Sequence, residues 1–236
     1  MRRRFMIVSG LVAVLTVWGA GAASAATPWT VQATPNPSGV LMPGLDDVSC
    51  ASATSCIAVG SYSTNDYENA QPLAEHWNGR TWAIQNPSGP VGAYLTGVSC
   101  TSTKSCTAVG DYYDSVSKEG LLVAEHWNGR TWSIQAVPNP TGTGAEYPGL
   151  DSVSCASARS CTAVGSYFDS VSSESLPLAE HWNGSTWSIQ ATPNPTGATS
   201  NQLEVISCTS ATSCTAAGLY NTGSPPGPSF TLAEHS

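Results

Sequence analysis

Every histidine in the chain follows a glutamate: Glu75-His76, Glu125-His126, Glu180-His181 and Glu234-His235. A carboxylate beside an imidazole is raw material for acid–base or metal chemistry. The four pairs, however, recur in one repeated context. If that context is the third strand of a radial sheet, a spacing of ~4.8 Å per strand puts the imidazoles well over ~15 Å apart. Metal ligands must converge at ~2.0 Å, so the pairs read as a repeated structural element, with no metal or cofactor expected. G-x-S-x-G, H-E-x-x-H, Walker and dinucleotide signatures are absent, and no catalytic residue is assigned.

The eight cysteines fall as four C-x5-C pairs: Cys50 with Cys56, Cys100 with Cys106, Cys155 with Cys161, and Cys208 with Cys214. Zinc sites favour tighter spacing, whereas opposed residues on antiparallel strands lie at disulfide distance. Four local disulfides are expected, each stapling a short turn and each contributing about 2 kcal/mol by the chain-entropy estimate.

The elements that carry these residues repeat. LAEHWNGRTWAIQNP from Leu73 returns as VAEHWNGRTWSIQAVPNP from Val123 and as LAEHWNGSTWSIQATPNP from Leu178. Apolar-polar alternation running into Asn-Gly and out through Thr-Trp predicts a hairpin with a two-residue type I′ turn. Cys50, Cys100, Cys155 and Cys208 mark the repeat, a period that belongs to propellers and arrays. Each unit reads as strand A (residues 45–50), strand B (56–62), a long loop, strand C (73–77) and strand D (81–85). The fourth unit lacks strand D, and Trp29-Thr30-Val31-Gln32 near the N-terminus matches it.

The expected fold is therefore all-β, a four-bladed β-propeller with four antiparallel strands per blade, its last blade closed by the N-terminal strand. Units fall at about 41–90, 91–145, 146–198, and 199–236 plus 26–40, in a single domain over 26–236. In strand D, Trp82 with Ile84, Trp132 with Ile134, Trp187 with Ile189 and Trp29 with Val31 share a face and are expected in the core.

In such blades the A–B and C–D turns lie on one face and the B–C and D–A loops on the other. The first set is nearly identical between units; the second varies, and loops on a rigid frame are where binding usually resides. The variable face gathers Tyr62, Tyr112, Tyr167 and Tyr220 with Tyr113, Asp66, Asp114 and Asp169. Tyrosines beside carboxylates suit sugar rings and hydroxyls, making these the candidate ligand-binding residues and extracellular glycan the preferred ligand. A hydrolase using acids of this face, or a purely structural or protein-interaction module, are the competing readings. Adjacent Asp46 and Asp47 point to opposite faces of a strand and make a poor catalytic pair.

Arg2, Arg3 and Arg4, an apolar run from Phe5 to Trp18 and Ala23-Ser24-Ala25 read as a signal peptide over 1–25. The arginines also fit a twin-arginine export signal. Removing it leaves five Lys and Arg against 16 Asp and Glu, a formal charge of −11. Such a chain has no basic face for nucleic acid. A secreted monomer with no membrane span is expected.

The pattern S-C-x5-C-x-A-V-G-x-Y followed by L-A-E-H-W-N-G-x-T-W-x-I-Q resembles uncharacterised secreted bacterial repeat proteins with β-propeller-like blades. The resemblance covers nearly all of the mature chain and implies a fold but no activity. The C–D turn is also similar to the Asp-box of sialidases through Gly79, Thr81 and Trp82. Trp77 stands where that box has its Asp, and the dispersed arginines form no sialidase triad.

Overall fold

Alternating residues around Val, Ala and Gly draw the chain into antiparallel strands whose two faces both become buried, because sheet packs on sheet. The computed structural model describes residues 29–64, 69–141, 144–223 and 227–236. Residues 33–236 form one unit and the residues to Gln32 another. The first repeat contains β1 (Leu41–Ser52), β2 (Ser55–Ser63), β3 (Gln71–Trp77) and β4 (Trp82–Gln85). The second contains β5 (Ala93–Ser102), β6 (Ser105–Asp114), β7 (Glu119–Trp127) and β8 (Trp132–Gln135). The third contains β9 (Ala145–Ser157), β10 (Ser160–Asp169), β11 (Glu174–Trp182) and β12 (Trp187–Gln190). The fourth contains β13 (Ala198–Ser210), β14 (Ser213–Thr222) and β15 (Ser229–His235). Each repeat pairs its strands antiparallel in chain order, and a parallel bridge from Ser175 to Ser200 joins the third and fourth into a seven-stranded sheet.

All four disulfides join the pairs expected from the spacing, each across the register partners that flank an A–B turn, with Cα atoms 3.9 to 4.0 Å apart. The first strand of each repeat is bulged opposite Gly60, Gly110, Gly165 and Gly218. A Cβ on any of these glycines would overlap a carbonyl oxygen of the partner strand, that of Tyr94 in the case of Gly110.

Consecutive repeats pack face to face, β1 on β5, β5 on β9 and β9 on β13. Ile57 and Val59 of the first repeat meet Leu95, Val98, Trp127 and Trp132 of the second. Val109 and Leu122 of the second meet Leu150, Val153 and Trp187 of the third, while Val164 and Ala179 meet Leu203 and Ala216. A serine before each first cysteine ties the junction: Ser49, Ser99 and Ser154 accept from the backbone N–H of Cys100, Cys155 and Cys208 at 2.9, 3.0 and 2.9 Å. The arrangement is a propeller-like succession of antiparallel sheets.

Three expectations need correction. Residues 29–38 contain no strand, Trp29 and Val31 are fully exposed, and among the described residues β15 ends its sheet without a fourth strand. Nor, among the described residues, does the first repeat pack on the last as consecutive repeats do, so the four repeats do not close into a ring. Strand D elsewhere follows its partner through a short turn, whereas pairing residues 29–32 with β15 would close a loop spanning almost the whole chain, at a higher entropic cost.

The C–D connection is also not a two-residue type I′ turn. Trp77 pairs with Trp82, leaving a four-residue loop in which Gly79 alone has positive φ, at 89°. The Asn78 side-chain oxygen accepts from the N–H of Arg80 at 2.9 Å and of Thr81 at 3.0 Å. This Asx turn supplies the reversal that type I′ dihedrals would otherwise provide.

Finally, strand D of the second and third repeats buries its tryptophan but not its isoleucine: Trp132 and Trp187 are each 4% exposed, Ile134 and Ile189 55% and 43%, whereas Trp82 and Ile84 of the first are both half-buried. As the outermost strand it is covered by the neighbouring repeat only at its tryptophan end. Residues 1–28, which include the expected signal peptide, lie outside the described residues, among which no helix is long and apolar enough to cross a membrane.

Candidate functional site

The tyrosines that end the B strands are partly used by the fold. Tyr112 packs against the junction of the first and second repeats, and Tyr167 against that of the second and third. Tyr220 stacks on Phe230 with ring centroids 5.2 Å apart. Tyr62 and Tyr113 are half-buried, paired across the sheet with Gln71 and Gly120. Burial, and secondarily Asp114 and Asp169, raise the pKa of the Tyr112 and Tyr167 hydroxyls respectively and so disfavour their ionisation. Tyr112 and Tyr167 therefore each share a strand end with one acid, but Tyr62, Tyr112, Tyr167 and Tyr220 belong to four different repeats.

Both acids stabilise turns. Asp114 accepts from the Val116 N–H and the Ser117 hydroxyl, each at 2.9 Å, and these bonds hold its carboxyl below the ordinary range. Asp169 accepts from the Val171 N–H at 2.9 Å. Asp66 lies outside the described residues. Asp47 is a clasp: its two oxygens accept from the N–H of Val48 and of Val98 in the next repeat.

Between the B–C loop of the second repeat and the D–A connection before the third lies a cavity of about 610 Å³. Lys118, Glu119, Asn139, Thr141, Glu146 and Tyr147 line it. Tyr147 is 69% exposed, and both Tyr147 and Lys118 hold left-handed backbone, with φ of 47° and 65°. The matching positions of other repeats do the same, Met42 with φ of 51° for Tyr147 and Ser173 with 59° for Lys118, so the conformation belongs to the repeat and the side chains alone differ. Gly120 allows the close approach, since a Cβ there would sit 3.1 Å from the Tyr147 Cα. Tyr147 is not among the residues singled out from the sequence; it lies near the start of β9, where Tyr147-Pro148-Gly149 matches Met42-Pro43-Gly44 of the first repeat.

A second group of acids was only half visible. Asp111 is pushed up to about 6 by burial and by Asp151; Asp151 is raised by burial and by Glu204. Asp111 stands where the G-x-Y position of the other repeats has Ser61, Ser166 and Leu219, and that departure was the available signal.

The Glu-His pairs resolve into distinct jobs. Glu125 is fully buried and accepts from the N–H of Ser88 at 2.6 Å and of Gly89 at 2.9 Å, holding the preceding connection. Glu180 is equally buried, yet neither oxygen has a partner among the described residues, and burial pushes its pKa up to about 8. Its neighbouring connection differs, with Ala136-Val137-Pro138 separating Gln135 from Asn139-Pro140. His76, His181 and His235 each meet a hydroxyl of the adjacent strand, from Ser55, Thr162 and Thr215. Among the described residues no three His, Cys, Asp or Glu converge as metal ligands.

No family model and no curated protein matches this sequence. Solved structures do match. One is "YCF48 bound to D1 peptide", at 14% identity and TM-score 0.46, over 85% of this chain and 55% of that one. Another is the GH74 xyloglucanase from Xanthomonas campestris, at 14% identity and TM-score 0.42, over 78% of this chain and 29% of the enzyme. The chain thus spans about half the length of the first and under a third of the second.

Proposed function

We propose that this is an exported binding module whose ligand, an extracellular glycan, sits on the face of variable loops. The observation that carries the reading is the cavity beside Tyr147, where an exposed ring held by left-handed backbone adjoins Lys118, Glu119, Glu146 and Thr141. An aromatic face with a few charged and hydroxyl groups is what sugar rings and their hydroxyls need. Four disulfides favour an oxidising compartment, in keeping with an N-terminal signal peptide. The turns at the opposite face are committed to Asx bonds and to packing on the A–B turns, as where Trp77 Nε1 donates to the Ala53 carbonyl. That leaves them little to offer a ligand.

The test is a glycan array with the mature protein, followed by titration of the best ligand against Tyr147→Ala and Tyr113→Ala. Loss of a stacking ring should weaken binding by ~1 kcal/mol or more. No retained glycan, or the parent's affinity kept in both variants, would overturn the proposal.

A further inference from the structure

The first and last repeats carry the two halves of a junction that the other repeats make three times. Leu95, Leu150 and Leu203, which face the preceding repeat, are 0%, 0% and 1% exposed, but their counterpart Leu45 is 39% exposed. Val98 and Val153 are 4% and 6% exposed, and their counterpart Val48 is 56% exposed. Ser207 occupies the position of Ser49, Ser99 and Ser154, and Cys50 that of the three cysteines whose N–H those serines receive. The fourth acceptor and fourth donor thus both exist, at opposite ends of the array.

A vacancy accompanies them. A cavity of about 610 Å³ lies between the third and fourth repeats, lined by Gln190, Thr192, Leu203, Ala216, Glu234 and Ser236 among others. Among the described residues Glu234 Oε1, buried there, has no partner and β15 has no neighbour on its outer edge. In the third repeat the corresponding strand is β12, whose Trp187 Nε1 donates to Gln135 at 3.0 Å. Gln190 is the equivalent of Gln135, and Trp29-Thr30-Val31-Gln32 is the equivalent of β12.

We propose that a second copy of this chain fills both vacancies. Its first repeat packs on the last repeat of the other copy, and its residues 29–32 add the fourth strand beside β15. Transferring the β11–β12 register sets Trp29 opposite Ser236, Thr30 opposite His235, Val31 opposite Glu234 and Gln32 opposite Ala233. Residues 33–40 then connect that strand to β1 with eight residues, between the seven of 191–197 and the nine of 136–144. Closure within one chain would require the three packed junctions to rearrange, because they leave the first and last repeats without such packing among the described residues. A second copy requires no rearrangement, and the same contact made twice is a closed two-fold assembly.

The experiment measures the mass of the mature protein by light scattering and tests two cysteine variants. Thr30→Cys protein refolded with His235→Cys protein should give a covalent dimer of one chain of each. Val48→Glu should halve the mass while keeping the circular dichroism spectrum and all four disulfides. Should Val48→Glu fail to fold, the cysteine pair still decides. A monomeric parent in which a Thr30→Cys/His235→Cys chain links within itself would overturn the proposal in favour of self-closure. A monomer with no link, or a dimer indifferent to Val48→Glu that forms no mixed link, would overturn it outright.

Discussion

Replacing Glu180 with Gln should stabilise the protein at high pH and leave it unchanged at low pH, whereas the same replacement at Glu125 should destabilise it. Both residues are buried at one position of the repeat, but only Glu125 receives backbone N–H groups. In the unfolded chain Glu180 ionises near 4.5; in the folded protein burial holds the proton until about 8. Between these values the unfolded chain has lost a proton that the native state keeps. The contribution is therefore fully present below about 4.5 and is lost as pH rises through about 8.

At ~1.4 kcal/mol per tenfold change in proton affinity, the unscreened difference is about 5 kcal/mol. Halving it for solvent screening at an inter-repeat junction leaves about 2 kcal/mol at pH 9. Glu180→Gln should thus melt about 4 to 8 °C above the parent at pH 9 and with it at pH 4, by calorimetry on matched samples. Glu125→Gln turns one accepting oxygen into a donor facing another donor, costing about 1.5 to 3 kcal/mol at neutral pH. If Glu180→Gln keeps the parent's fall in stability between pH 6 and 8, or if both variants shift the same way, the assignment of the two carboxylates is refuted.

The remaining predictions concern the frame. Gly110→Ala should cost about 3 kcal/mol in urea unfolding, because its Cβ would overlap the Tyr94 carbonyl and the bulge cannot yield; a loss below ~1 kcal/mol contradicts that. Asn128→Ala removes the acceptor for the N–H of Arg130 and Thr131, and should cost about 1 kcal/mol while Asn128→Asp retains most of it. Removing the Cys100–Cys106 bridge by a double serine substitution should cost about 2 kcal/mol, since the closed loop is short.

What was legible in the sequence is what repeats locally. Asn-Gly between Trp-bearing strands announces a reversal, and C-x5-C announces a bridged turn, because pairing partners lie a few residues apart. The turn's true form was hidden because the Asn78 side chain, not the backbone dihedrals, makes the bend. The exposure of Ile134 and the opposite circumstances of Glu125 and Glu180 depend on how far a neighbouring repeat reaches over the strand, which alternation cannot report. Tyr147 gave no pattern because the left-handed position before Pro-Gly-Leu-Asp is shared with Met42 of the first repeat and only the side chain differs.

The measurement that tests the proposed site most directly is hydrogen–deuterium exchange of the mature protein with and without the glycan selected by the array. Slowed exchange confined to residues 117–121 and 144–148 on the variable-loop face is the predicted result. Protection instead at the Asn78–Thr81, Asn128–Thr131 and Asn183–Thr186 turns, with the Tyr147 segment unchanged, would contradict it.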